Sequence, residues 1–281
     1  MGTCARHRIV TRVKCKDSVL DDFKIGTYSY NRFNVEEVSQ TLKDIKCGKS
    51  AGLNNVYGEH FKYADKSVSV FLSMLFNAIV IHNSLPKEIM DTVVVRLIKD
   101  MKGNITSKDN YRPIAITCVF SKVLELLILS RIKPYIGSNC NQFGFKEKHG
   151  SDICVYVLKQ IVHYYSQLSS PVYTCFLDAS KAFDKINHWH LFSKLLRAKV
   201  PIIFVRLLCT WYVQQSFCVK WGTMFSNSFN VTNGVRQGGI LSQILVNFYL
   251  EDLSHILIKS VVGCFMNGQC FNHLFMQMMV Y

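Results

Sequence analysis

The run Phe176-Leu177-Asp178-Ala179-Ser180-Lys181-Ala182-Phe183-Asp184 carries a carboxylate at the end of a short apolar segment. Val172 to Leu177 is mostly strand-favouring, so the expected element is a strand that delivers Asp178 from its C-terminal end. That placement suits divalent-metal chemistry. Nucleotidyl transfer uses two Mg2+ ions about 3.5–4 Å apart, held by hard oxygen ligands. One sharpens an attacking 3′-hydroxyl and the other neutralises the leaving pyrophosphate. Ala179 and Ser180 are small enough to let backbone N–H groups approach a triphosphate. The competing reading is an aspartate that caps the next helix. It would win for a lone Asp and loses for this nine-residue run. Asp184 lies six residues further on. A strand-to-helix turn would not bring it to the same metal, so it reads as a helix or turn residue.

Two other runs could meet a nucleotide. In Asn233-Gly234-Val235-Arg236-Gln237-Gly238-Gly239-Ile240-Leu241-Ser242, paired glycines at a helix entrance permit close backbone approach to a ligand, and Gln237 can hydrogen-bond there. Alone, such a start is more often a turn than a site. In Asn110-Tyr111-Arg112-Pro113-Ile114-Ala115-Ile116, Arg112 could grip a phosphate bidentately. In isolation it reads as a surface arginine ahead of a proline-started strand.

In this order and spacing, Tyr111–Ile116, Asn141-Gln142-Phe143-Gly144-Phe145, Phe176–Asp184 and Gly234–Ser242 resemble successive blocks of the reverse transcriptase domain of LINE-type (non-LTR) retrotransposons, over roughly residues 35 to 275. The resemblance implies an α+β right-hand polymerase, fingers before palm. It implies an RNA template, a DNA primer, dNTPs and Mg2+. By position it implies Asp178 as a metal ligand, with Ala179 and Ser180 beside the nucleotide. Phe183 would be the aromatic gate against a ribose 2′-hydroxyl, and Gln237 and Gly238 would line the incoming-nucleotide pocket. Arg112 and Lys99 would be fingers residues near the triphosphate. Intron maturases and telomerase share the class, but the wording of the runs fits the retrotransposon type better.

The chain departs from that pattern where a second pair of aspartates, Tyr-Ala-Asp-Asp, is expected. It reaches the hairpin at Asn272-His273-Leu274-Phe275 and reads on Met276-Gln277-Met278-Met279-Val280-Tyr281, and no Asp follows Asp252, inside the preceding helix. The expectation is a truncated palm, without thumb or endonuclease, that is inactive as written. A non-catalytic, basic RNA-binding remnant is the alternative. Tyr63-Ala64-Asp65-Lys66 looks like the missing motif but precedes the first metal run and reads as structural. Gln243, Val246 and Asn54 stand where the family usually has Pro, Phe and Asp. His188 and His190 are expected to face solvent at a helix start, with no metal role.

The elements that must position these runs follow from periodicity. Asn34 with Glu37 suggests a capping box before a helix through Val35, Val38, Leu42 and Ile45. Further helices are expected over Val68–Asn83, Phe120–Pro134 (amphipathic), Ser151–Leu168, His190–Ala198, Ile202–Gln214 and Gly239–Ile258. Strands are expected over Thr92–Ile98, Val172–Leu177, Phe217–Trp221 and Phe225–Thr232, with a hairpin turning at Asn267-Gly268. The sheet should be mostly antiparallel. The expected division is a poorly ordered lead-in over 1–33, fingers and the start of the palm over 34–170, and palm over 171–281.

Composition agrees with a polyanionic partner. There are 33 Lys+Arg against 19 Asp+Glu, a formal net charge of +14, and neutralised phosphates release counterions. With 49% hydrophobic residues, a packed core is expected rather than global disorder. Eleven cysteines without a C-x-x-C pair suggest neither a zinc knuckle nor a redox motif. Cys118, Cys175 and Cys209 read as small buried hydrophobes. No stretch is long and apolar enough to span a bilayer, so a soluble, intracellular protein without a membrane partner is expected.

Met has one codon, so Met276-Gln277-Met278-Met279 is ATG CAR ATG ATG. With CAG for Gln277, one preceding T gives TAT GCA GAT GAT, which reads Tyr-Ala-Asp-Asp. A one-base deletion just before the aspartate pair is therefore expected, and sequencing the genomic DNA and transcript across these codons should find CAG at Gln277; CAA would remove that explanation.

Overall fold

Asn34 ends an extended segment and starts the first long helix. Its side-chain oxygen accepts the Glu37 amide at 2.7 Å. The other half of the expected capping box is missing, because the Glu37 carboxylate turns away to a two-point pair with Arg131 at 2.6 and 2.8 Å.

The computed structural model describes residues 14–24, 29–137, 141–144, 150–177, 182–260, 262–266 and 268–275. The chain forms two units interleaved in sequence: Met1–Ile136 with Phe183–Ser242, and Gly137–Ala182 with Gln243–Tyr281.

In the first unit, helix α1 covers 14–22. It is followed by α2 (Val35–Lys43), α3 (Gly58–Lys62), α4 (Lys66–His82) and α5 (Lys87–Met90). Strands β1 (Asp91–Ile98) and β2 (Tyr111–Thr117) then lead to α6 (Val119–Ile132). After the second unit's α7 (Ser151–Gln167), the first unit resumes with α8 (His188–Arg197), α9 (Ile202–Gln214), β3 (Ser216–Trp221), β4 (Met224–Phe225) and β5 (Phe229–Asn230). The sheet runs β2-β1-β3-β4, with β5 also on β3. Its pairings are antiparallel except β1 with β3, which is parallel. The single strand expected over Phe225–Thr232 is two short pieces, because Ser226 leaves the ladder to exchange hydrogen bonds with Val219.

The core of this unit gathers Phe33, Phe76, Leu124, Leu127, Ile128, Phe192, Phe204 and Trp211, all buried. Helix α6 is buried on nearly every side rather than along the one stripe of an amphipathic helix. The polar interruptions of α4 are explained by the segment before α2. Asn77 accepts the Phe33 N–H at 2.9 Å and the Tyr30 hydroxyl at 2.8 Å, and donates to the Phe33 carbonyl at 2.8 Å. Ser73, one turn earlier, donates to the same carbonyl at 2.7 Å. Asp65 of the Tyr63–Lys66 run caps α4, accepting from Ser67, as its structural reading requires.

The second unit holds α7, most of α10 (Ile240–Ser260), and the hairpin β6 (Cys264–Met266) with β7 (Gln269–Phe271). Asn141–Gly144 is fixed here. Phe143 N donates to Phe275 O at 2.8 Å, Phe275 N to Asn141 O at 2.9 Å, and Asn247 to Gly144 O at 2.9 Å. Val172–Leu177 is not a strand. It has no ladder partner among the described residues, and Tyr173, Phe176 and Leu177 are strongly exposed. A strand needs a neighbouring edge, and none of the described strands pairs with this segment. Cys175 is exposed with this segment, whereas Cys118 and Cys209 are buried as expected.

Replacing Asn77 with Leu should orphan the Phe33 amide and the Tyr30 hydroxyl and cost about 2–4 kcal/mol. The urea midpoint should fall accordingly, while that of Tyr63→Ala, at an exposed position, should stay within about 0.5 kcal/mol of the unsubstituted chain.

Candidate active site

The three chemistry-bearing runs fall differently. Asp178, Ala179 and Ser180 lie outside the described residues. Phe183, Gln237, Gly238, Arg112 and Lys99 all belong to the first unit.

β2 is an edge strand, and its outer edge meets the Gly-rich turn. The Ala115 N–H donates to the Gln237 carbonyl at 2.8 Å. Gly238 sits at φ +117, and a Cβ there would come within 2.8 Å of the Ala115 carbonyl oxygen. Only glycine permits that approach. The turn leaves Gln237 half-buried and Gly238 exposed, with no hydrogen bond from the Gln237 side-chain amide among the described residues.

Phe183 is tied to the same loop through backbone. Val235 N donates to Phe183 O at 2.8 Å, and Gly234 N to Ile186 O at 2.7 Å. Gly234, at φ +86, lies so close that a Cβ would be 2.8 Å from both Phe183 O and Asp184 Cα. His188 completes this junction. It is buried, not solvent-facing as expected, and its Nε2 bonds the Gly234 carbonyl at 2.5 Å. The ring packs edge-on against Tyr212, whose hydroxyl burial pushes up to about 12 and which hydrogen-bonds with Ser242. His190 is exposed. The His188 signal was available in sequence: it stands three, four and seven residues before Leu191, Phe192 and Leu195, on the stripe that α8 buries.

Sequence reasoning assigned no role to Glu125 or Arg236. Both side chains are almost fully buried, and Arg236 Nη2 pairs with Glu125 Oε1 at 2.7 Å. Glu125 Oε2 accepts the Ile240 and Leu241 amides at 2.6 and 3.1 Å, capping α10. The guanidinium also lies 4.6 Å over the Trp211 ring. The available signal was a lone acidic residue within the apolar stretch Val123 to Ile128.

Arg112 pairs across β1 with Leu97 and so shares a sheet face with Val95 and Val93. On that face lies a groove of about 1190 Å³ whose walls include Lys49, Lys220, His60, Tyr57 and Phe225. Three of these can carry positive charge and two are aromatic, which suits phosphates and base faces. Lys99 is less free than expected: its ammonium donates to the Asp109 carbonyl at 2.6 Å, within its own loop. Among the described residues no group of three His, Cys, Asp or Glu side chains is placed to hold a metal ion. They do not make a Mg2+ site by themselves. No described helix is long and apolar enough to cross a membrane.

A mixed α+β fold with these motif blocks in this order is the one expected of the reverse transcriptase class. A family model described as reverse transcriptase (RNA-dependent DNA polymerase) matches residues 99–276, and the chain belongs to that family. The resemblance to non-LTR retrotransposon polymerases holds. The chain is 27% identical over 225 residues to the probable RNA-directed DNA polymerase from transposon BS of Drosophila melanogaster, covering 78% of this chain and 24% of that protein. It is 26% identical over 244 residues to the probable RNA-directed DNA polymerase from transposon X-element of Drosophila melanogaster, covering 83% and 26%. It is 26% identical over 226 residues to the RNA-directed DNA polymerase from mobile element jockey of Drosophila funebris, covering 78% and 24%. The chain thus spans about a quarter of the length of these relatives.

Gly238→Ala should meet both backbone strain and the Ala115 carbonyl and cost about 3 kcal/mol. Gly222→Ala, at φ +62 with open space around its Cβ, should cost only about 1 kcal/mol. Equal losses in chemical denaturation would refute the close-approach role.

Proposed function

We propose that this chain is the nucleotide- and template-binding part of an RNA-directed DNA polymerase that takes a primed RNA template and dNTPs. The observation that carries this reading is the docking of the Gln237–Gly238 turn on the edge of β2. It gathers Phe183, Gln237, Gly238 and the strand of Arg112 in one unit. Gln237 and Gly238 would meet the incoming nucleotide, Phe183 would exclude a 2′-hydroxyl, and Arg112 would face phosphate. The basic, aromatic groove on the Arg112 face supports a polynucleotide partner. Mg2+, when bound, would supply charge neutralisation at the attacking and leaving oxygens. Asp178 is the ligand this sequence offers for it.

The second reading, a binding protein without catalysis, is favoured by Met276-Gln277-Met278-Met279. These residues follow Phe275, which is held against Asn141–Phe143. None of the four is a carboxylate, where the resemblance requires two in sequence.

The chain should bind poly(rA)·oligo(dT) and dTTP in Mg2+ yet leave the primer unextended. Extension would sink the non-catalytic reading, and failure to bind either would sink both. Affinity for poly(rA) should fall steeply with salt, and Lys49→Ala and Lys220→Ala should each flatten the log–log slope by about 0.7.

A further inference from the structure

The turn that presents Gln237 and Gly238 is held at three points, none of them a ligand contact. The Ala115 amide holds the Gln237 carbonyl. Arg236, immediately before the turn, is held by Glu125 Oε1, and the first amides of α10, immediately after it, by Glu125 Oε2. One carboxylate, reaching from 115 residues away in sequence, thus closes both ends of the turn.

A helix start ordinarily receives its cap from the residue just before it. Here that residue is Gly239, which has no side chain to offer. A Cβ there would lie 2.6 Å from Ser242 Oγ and 3.4 Å from Glu125 Oε2. The cap therefore comes from α6. A cap alone needs no cation, yet Arg236 is buried with Glu125 and stacked on Trp211. The pairing joins helix start and turn entrance into one fixed object.

We propose that Glu125 is a positioning residue for nucleotide binding: its buried carboxylate fixes Gln237 and Gly238 where an incoming deoxynucleotide meets them. This rests on the nucleotide-pocket reading above. The carboxylate touches no ligand and acts through Arg236 and the Ile240 and Leu241 amides.

The test compares the unsubstituted chain, Glu125→Gln, and the double variant Glu125→Met with Arg236→Met. Binding of dTTP to the chain on poly(rA)·oligo(dT) in MgCl2 is measured beside binding of poly(rA) alone, with amide exchange at Ile240 and Leu241. The double variant removes both buried charges and should regain thermal stability. It supplies no acceptor for the two amides. Glu125→Gln should weaken dTTP binding on the order of tenfold or more, as misplacement of a binding group does. It should leave poly(rA) affinity within about twofold and speed exchange at the two amides. The double variant should melt like the unsubstituted chain and still bind dTTP weakly. A double variant that binds dTTP normally overturns the proposal, as does Glu125→Gln weakening dTTP and poly(rA) alike or neither. If the unsubstituted chain binds no dTTP, the nucleotide reading itself fails and the proposal with it.

Discussion

The buried pair of Glu125 and Arg236 is the constraint on which the arrangement of the first unit turns. Two full charges lie in the protein interior at 2.7 Å, where removing one partner alone typically costs about 3–5 kcal/mol. Such a pair is tolerated best when the carboxylate oxygens and the guanidinium N–H groups all have partners; Arg236 Nε and Nη1 have none among the described residues. Glu125 meets its side of that condition with a guanidinium on one oxygen and two helix-start amides on the other. The α10 dipole adds to the attraction, because its positive end faces the carboxylate. Trp211 closes the guanidinium's face. Four elements distant in sequence, α6, α9, the Gly-rich turn and α10, therefore share one electrostatic fastening.

Close backbone contact carries the fastening outward. Gly234 lets the loop lie on Phe183 and Asp184, and Gly238 lets it lie on Ala115. His188 then locks the Gly234 carbonyl from α8. In both glycines the left-handed backbone and the missing side chain are needed together, so these positions are doubly restricted. Rigid backbone holds the loop while Gln237 and Gly238 stay accessible. That is the arrangement a selective pocket requires, since a binding group is effective only when its supports hold it still.

The segment before α2 shows the same economy of means. Ser73 and Asn77 interrupt an apolar helix. They satisfy both backbone groups of Phe33 inside the core. Buried polar side chains here serve extended backbone that has no strand to pair with.

The sequence by itself determined the family, the α+β class, and most helices and strands of the first unit. Their signals are local: apolar spacing over Val119–Ile132 and Ile202–Gln214, the Asn34 cap, and the β-branched run of β1. The motif runs were legible for the same reason, since chemistry fixes residue type at short spacing. Pairing and burial were left to tertiary structure. Val172–Leu177 has strand composition but no ladder partner among the described residues, and composition cannot supply an edge. Phe225–Thr232 reads as one strand until Ser226 bonds to Val219. His188 and Glu125 are polar letters whose value depends on what faces them. Only the fold brings Gly234 to one and Arg236 to the other, because these contacts span 46 and 111 residues of chain.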